Sequence, residues 1–127
     1  MRYLLDTQAA IWALDNKEKL SETAKAVIDD VSLSLCISIV SAWEIAIKVS
    51  ICKLRFVGGS AAFLEKMRHN GIELLDIKSS CVEHVESLPF IHRDPFDRMI
   101  ISTAIAEGLT IVTADKNIQK YDVLWVW

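Results

Sequence analysis

Short apolar runs alternate along this chain with stretches in which apolar residues recur every three or four positions. Residues 2–5 read as a buried strand. From Thr7 to Leu14, the set Ala9, Ala10, Ile11, Ala13 and Leu14 suits a helix with little polar surface. Ser21 is placed to cap a second helix over 22–30, with Ala24, Val27, Ile28 and Val31 as its stripe. Residues 34–40, rich in Ile and Val, predict a second strand. The capping-box pattern Ser41-Ala42-Trp43-Glu44 then opens a helix to about Ile51.

Gly58-Gly59-Ser60 marks a turn before a helix over 61–69, which Asn70-Gly71 ends. Glu73 to Ile77 predicts a third strand. A further capping box, Ser80-Cys81-Val82-Glu83, starts a helix to about Leu88. After a polar loop through His92-Arg93-Asp94, the pair Asp94-Pro95 launches a helix over 95–107, terminated by Gly108. Residues 109–114 predict a fourth strand, 116–120 a helical turn and 123–127 a last strand.

This alternation predicts an α/β fold, a central mostly parallel sheet of about five strands flanked by helices. Nothing in the pattern divides residues 1–127 into more than one domain. In open α/β sheets ligands bind beyond the carboxyl ends of the strands. Asp6, Glu44 and Asp115 lie at or just past such ends, and Asp97 opens the helix that feeds the fourth strand.

Each acid has an ordinary explanation as a helix cap or a first-turn partner of the macrodipole. Asp6 could cap the first helix, Glu44 could be the N3 acid paired with Ser41, Asp94 could cap with Asp97 at N3, and Asp115 could cap the following turn. Capping does not require that the helix starts meet at one point, yet this topology gathers them. Two unit charges about 4 Å apart repel by roughly 4 kcal/mol at an effective dielectric near 20. With no obvious cation partner in the pattern, a divalent ion is the natural occupant, and hard Mg²⁺ or Mn²⁺ prefers carboxylate and water oxygens. Such a site can activate water and clamp a phosphodiester for in-line attack.

Composition narrows the setting. A formal net charge of −3 argues against nucleic-acid binding driven by the chain's charge alone, so any such role needs local basic residues and bound cations. Three cysteines without a C-x-x-C pair suit a reducing cytoplasm. Glu44 and Lys48 interrupt the apolar stretch over 33–52, and Met1 to Asp6 lacks a signal-peptide pattern, so the expectation is a soluble cytoplasmic protein without a membrane span.

Competing constellations are thinner. Cys81-x-x-His84 with His69 and His92 lacks a second zinc pair, His92-Arg93-Asp94 lacks the rest of a kinase, and neither G-x-S-x-G nor a phosphate loop is present. Asp6-Thr7-Gln8 lacks the second acid that a D-x-D phosphatase needs, and the paired acids and late lysine of a receiver domain are missing. Around the acids, Thr7, Ser38, Ser41 and Thr113 are suited to hold carboxylates or waters. Arg98 and Lys116 are expected at the rim against phosphates, with solvated surface charge as the alternative. Lys48, four residues after Glu44, is placed for a surface ion pair. Trp12, Trp43 and Phe96 are expected in the core or at a partner interface.

At these residues the sequence resembles a PIN-domain ribonuclease, specifically the VapC-type toxin of bacterial toxin–antitoxin pairs. The motifs are Leu4-Leu5-Asp6-Thr7, Ser38-Ile39-Val40-Ser41-Ala42-Trp43-Glu44-Ile45, His92-Arg93-Asp94-Pro95-Phe96-Asp97-Arg98-Met99-Ile100-Ile101, Leu109-Thr110-Ile111-Val112-Thr113-Ala114-Asp115 and the tail from Tyr121 to Trp127. The resemblance implies a PIN-like fold and Mg²⁺- or Mn²⁺-dependent cleavage of RNA. By that resemblance Asp6, Glu44, Asp97 and Asp115 form an acidic quartet, with Asp6 and Asp97 the main ligands and Asp115 the most variable in role. Asp94 is then an extra acid, an N-cap, an outer ligand or both. A cognate antitoxin that obstructs the acidic pocket and a homodimer are also implied, with the surface around Trp12, Ile47, Val49 and Ile51 as a partner face. The alternative is a catalytically silent module that keeps the fold and binds RNA or a protein.

Overall fold

The computed structural model describes residues Met1 to Trp127. Its centre is a five-stranded sheet in the order β3-β2-β1-β4-β5, in which β1 spans Arg2–Leu5, β2 Ser34–Ser38, β3 Glu73–Leu75, β4 Thr110–Val112 and β5 Trp125–Val126. All four pairings are parallel, and Leu5 stands opposite both Ile37 and Val112. Six helices connect the strands: α1 Thr7–Asp15, α2 Glu22–Asp29, α3 Ile39–Ser50, α4 Gly59–His69, α5 Ser79–Glu86 and α6 Pro95–Glu107. The α/β architecture expected from the sequence, a sheet of five strands flanked by helices, is therefore present, with the sheet wholly parallel.

Strand alternation divides the core into two layers. Leu5, Ile37 and Val112 face a cluster that also takes Ala9, Ala10, Ala42, Ile45, Phe63 and Met67 from α1, α3 and α4. Their neighbours Leu4, Cys36 and Ile111 face the other side, against Ile100, Ile101 and Ala104 of α6 and Ile118. Fully burying a Leu, Ile or Phe side chain is worth about 1.5–3 kcal/mol. The apolar runs at 2–5 and 109–112 owe their continuity to this two-sided burial.

Several local signals act as read. Ser21 Oγ accepts from Ala24 N at 3.0 Å, and Asp94 Oδ1 accepts from Phe96 N at 2.9 Å and Asp97 N at 3.0 Å. Gly58 enters α4 at φ +82°, where an added Cβ would stand 2.6 Å from Ala62 Cβ. Gly108 closes α6 in the left-handed conformation.

Other boundaries move. The second strand stops at Ser38 rather than residue 40, because Ser38 Oγ accepts from Val40 N at 3.1 Å and starts α3 there. Ile39 and Val40 are strand formers by propensity, but Val40 is buried in the first helical turn, and packing overrides the preference. Ser41 is therefore not a cap, and Glu44 lies in the second turn. The other capping box also fails: α5 begins at Ser79 with Lys78 at its N-cap and no side-chain bond. The turn predicted over 116–120 tightens to a 3-10 turn at Ile118–Lys120. No helix is long and apolar enough to cross a membrane.

Candidate active site

The strand order places the crevice. From β1 the chain moves to β2 and β3 on one side, while β4 lies on the other, so the connections diverge beyond the carboxyl ends of β1 and β4. A parallel sheet opens at such a switch point. A cavity of about 510 Å³ lies there, lined by Asp6, Glu44, Asp94, Asp97 and Asp115, by Lys48 and Lys53, and by an apolar wall of Ile11, Trp12, Ile45 and Leu54.

Asp6 leaves β1 with its backbone N–H still in the sheet, 3.2 Å from Val112 O. Its carboxylate is 5% exposed; Oδ1 caps α1 by accepting from Ala9 N at 2.8 Å, and Oδ2 accepts from Thr113 Oγ1 at 2.5 Å. Thr113 in turn accepts from Asp115 N at 3.0 Å, and Asp115 Oδ1 accepts from Asn117 N at 2.8 Å. The acids after β1 and β4 are thus joined through one hydroxyl. Capping and convergence coexist at Asp6, whereas Asp115 does not cap the 3-10 turn, whose N-cap is Asn117, and instead closes a local turn onto the Asn117 N–H.

Glu44 reaches the cavity from the second turn of α3 and is 6% exposed. Lys48 Nζ donates to its Oε2 at 2.6 Å. Thr7 Oγ1 lies 2.7 Å from Oε1 and 2.8 Å from Ser41 Oγ. A carboxylate only accepts, so Thr7's single proton goes to Glu44. The Glu44–Lys48 pair is accordingly no surface pair: its acid is buried, and the lysine brings a cation to the cavity.

Asp97, in the first turn of α6, has no cation against it. Its Oδ2 is 3.1 Å from His92 Nε2. Burial, followed by the charges of Asp94, Asp115, Asp6 and Glu44, pushes its carboxyl up to about 8. Burial likewise pushes Asp6 up to about 6 against the hydrogen bonds from Thr113 and Ala9, with Asp115 and Glu44 adding to the rise. The hydrogen bond with Glu44 raises Lys48 above the ordinary lysine value.

No three of these carboxylates close on a single ligating point; they surround the cavity. The donor set is nonetheless all oxygen, and Asp6 and Asp97 are raised by burial first and by neighbouring carboxylates second, both of which a bound cation would offset. The residues fit a hard divalent ion.

Two expected rim contacts are not in the cavity. Arg98 is 7% exposed, with its guanidinium turned to the carbonyls of Pro89, Val85 and Leu88 and to the Tyr121 hydroxyl. With both terminal nitrogens tied to those groups, the buried side chain lies outside the cavity lining rather than at its rim. Lys116 is exposed and outside the cavity lining. Trp43 is 57% exposed and meets Phe96 edge-on at 5.1 Å, so it is not core. Trp12 packs at 5.8 Å on Trp127, Val49 packs against the first core layer, and Ile51 is exposed. The sequence reading missed His92 and Tyr121 as site residues and Lys53 as a lining cation. A histidine five residues before Asp97 was the available signal, weighed only against a zinc site and a kinase loop and never as a partner of Asp97.

Fold and site together define a parallel α/β domain with an acid-lined crevice at its switch point. The chain belongs to the PIN domain family, whose model matches residues 3–124. Among solved structures it is similar to VapBC2 from Rickettsia felis bound to a DNA fragment from their promoter, at 20% identity over 100% of this chain and 99% of that one, TM-score 0.75. DNA-bound VapBC from Salmonella typhimurium is similar at 21% identity, 100% and 97% coverage and TM-score 0.70. FitAcB from Neisseria gonorrhoeae follows the same path at 19% identity, 98% and 96% coverage and TM-score 0.65. At these identities the likeness establishes the fold. No curated protein sequence matches the chain.

Proposed function

We propose that the chain is a metal-dependent endoribonuclease and the toxin of a toxin–antitoxin pair. The observation that carries this reading is the pair Asp6 and Asp97, both raised by burial and by neighbouring carboxylates and neither matched by a cation of the chain. These two would hold Mg²⁺ or Mn²⁺, with Asp115 and Asp94 completing the shell directly or through water. When bound, the divalent ion supplies charge that activates water and offsets the charge developing on the scissile phosphate.

The chain's own residues do the rest. Glu44, fixed at one oxygen by Thr7 and at the other by Lys48, orients the attacking water and takes its proton at the carboxylate. Thr113 holds Asp6 and the Asp115 backbone in one geometry. Lys48 and Lys53 offer phosphate contacts on the α3 side of the cavity. This arrangement lets an acidic chain handle RNA.

The family match and the toxin–antitoxin complexes among its structural relatives support a protein antitoxin as partner. The apolar wall of Ile11, Trp12 and Leu54 beside the acids would receive its blocking segment. A homodimer is supported by the exposed aromatics Trp43 and Phe90. Free, unpaired Cys36, Cys52 and Cys81 accord with a cytoplasmic location.

The test is cleavage of structured RNA by antitoxin-free protein with Mg²⁺ or with EDTA, repeated with Asp97→Asn. Cleavage that needs the metal and fails in the variant is expected. Equal cleavage by the variant would sink the assignment. No cleavage together with no Mn²⁺ binding by calorimetry would instead leave a silent binding module.

A further inference from the structure

A buried chain of hydrogen bonds leads into Asp97 from behind the cavity. It starts at Arg98, a buried cation with no carboxylate partner, which lies over the Phe90 ring at 4.4 Å and donates from Nη1 to Tyr121 Oη at 3.0 Å. The same phenol oxygen faces the backbone N–H of His92 at 3.3 Å. Guanidinium and amide N–H groups only donate, so both acceptor positions of the phenol oxygen are filled. Its own proton is left for His92 Nδ1, 2.8 Å away. An imidazole that accepts at Nδ1 carries its proton at Nε2, and Nε2 is the atom 3.1 Å from Asp97 Oδ2.

We infer that Arg98, Tyr121 and His92 form a positioning relay that fixes the His92 tautomer and aims the Asp97 carboxylate into the cavity. Each link has one donor and one acceptor, so the order cannot run backwards without leaving two donors face to face at Tyr121. His92 holds Oδ2 while Oδ1 makes no hydrogen bond within the chain and is left for the cavity. Tyr121 follows the 3-10 turn after β4, whereas Asp97 opens α6, so the relay ties the two sides of the switch point together. Arg98 is thereby a positioning residue acting at one remove from the site.

The relay rests on the proposed metal-dependent reading for its purpose but not for its geometry, and the experiment separates the two. In metal-free protein, imidazole ¹⁵N NMR is expected to show His92 protonated at Nε2 and accepting at Nδ1, with that preference lost in Tyr121→Phe. Protonation at Nδ1 in the wild type, or an unchanged signal in Tyr121→Phe, overturns the relay whatever the protein cleaves. Calorimetry with Mn²⁺ then reads its effect on Asp97. His92→Phe is expected to weaken binding about 10- to 100-fold, the usual scale for groups that orient a ligand, and Tyr121→Phe to weaken it less. His92→Gln, whose amide N–H can replace the Nε2 donor, recovers most of the loss. Wild-type affinity in a folded His92→Phe, or no recovery in His92→Gln, would also overturn it. If His92→Phe does not fold, the NMR comparison on Tyr121→Phe still decides. A wild type that binds no Mn²⁺ counts against the proposed function, and the tautomer measurement still judges the relay.

Discussion

The two flanks of the crevice treat buried carboxylates differently. On the α3 flank, Glu44 has a lysine at 2.6 Å and a threonine hydroxyl at 2.7 Å, so its charge is matched inside the chain. On the flank formed by β1, β4 and α6, Asp6 and Asp97 have no lysine or arginine against them and are pushed up to about 6 and about 8. The chain thus completes one acid and leaves two incomplete. A catalytic base must keep its geometry whether or not a ligand is present, whereas a metal site is left for the metal to complete.

Removing an incomplete acid gives the largest predicted effect, and one of opposite sign for activity and stability. Asp97→Asn is expected to lower RNA cleavage by at least about a hundredfold, since losing a group that merely orients a metal ligand already costs about 10- to 100-fold. In EDTA the same variant is expected to melt several degrees higher than wild type, because folding no longer has to protonate or desolvate a carboxyl that ionises freely in the unfolded chain, while the amide oxygen can still accept from His92. Asp6→Asn should behave alike, since Asn caps a helix about as well as Asp. Thermal melts beside cleavage assays check this, and a destabilised variant would contradict the asymmetry.

The pH dependence follows with its sign fixed by the same two groups. Their folded values lie above the ordinary 3.8, so between about pH 4 and 8 the folded state holds more protons than the unfolded one. Their contribution to stability is full below pH 4 and is lost as pH rises through about 6 and then about 8. Metal-free protein should therefore melt at a lower temperature at pH 8.5 than at pH 5. Mn²⁺ should reverse the trend, since a ligand at 100 times its Kd adds about 2.7 kcal/mol.

Breaking the complete flank is a smaller step. Lys48→Met leaves Glu44 buried without its cation, at a cost of about 1–3 kcal/mol, moderated because the lysine is nearly half exposed. A fall in the urea midpoint without a change in slope is the expected readout. Unlike the aspartate variants, Lys48→Met should lose stability and activity together.

How much of this could be read from the sequence differs by residue. Asp6, Asp94 and Gly108 declared themselves, because a cap and a left-handed turn are settled within four residues of chain. Ser41 misled for the same reason. The local pattern Ser-x-x-Glu is a capping box, but Val40 is drawn into the buried layer and the helix starts three residues earlier, at Ser38. Convergence of the acids was legible from strand order alone. The pairing of Tyr121 with His92, 29 residues apart, was not, since it depends on how the segment after β4 returns to the start of α6. Arg98 beside Asp97 looked like a phosphate contact, yet on a helix adjacent residues point in different directions.

The smallest effect separates cations by place rather than by charge. Lys53 lines the cavity beside Glu44 and Lys48, while Lys116, one residue after Asp115, lies outside it. If RNA enters along the matched flank, Lys53→Ala removes one phosphate contact. The salt dependence of binding should then fall by about 0.7 in log–log slope, the value per contact for a single strand. Affinity should drop modestly and equally for different RNA sequences, because a phosphate contact carries no base information. Lys116→Ala, which removes the same charge from a position directly after an acid in sequence, should leave the slope unchanged. Fluorescence titrations at several salt concentrations, with Asp97→Asn as background to prevent cleavage, measure both. Equal slopes for the two variants would mean that net charge, not the α3 flank, guides the RNA. A larger effect for Lys116 would place the entry path on the β4 side instead.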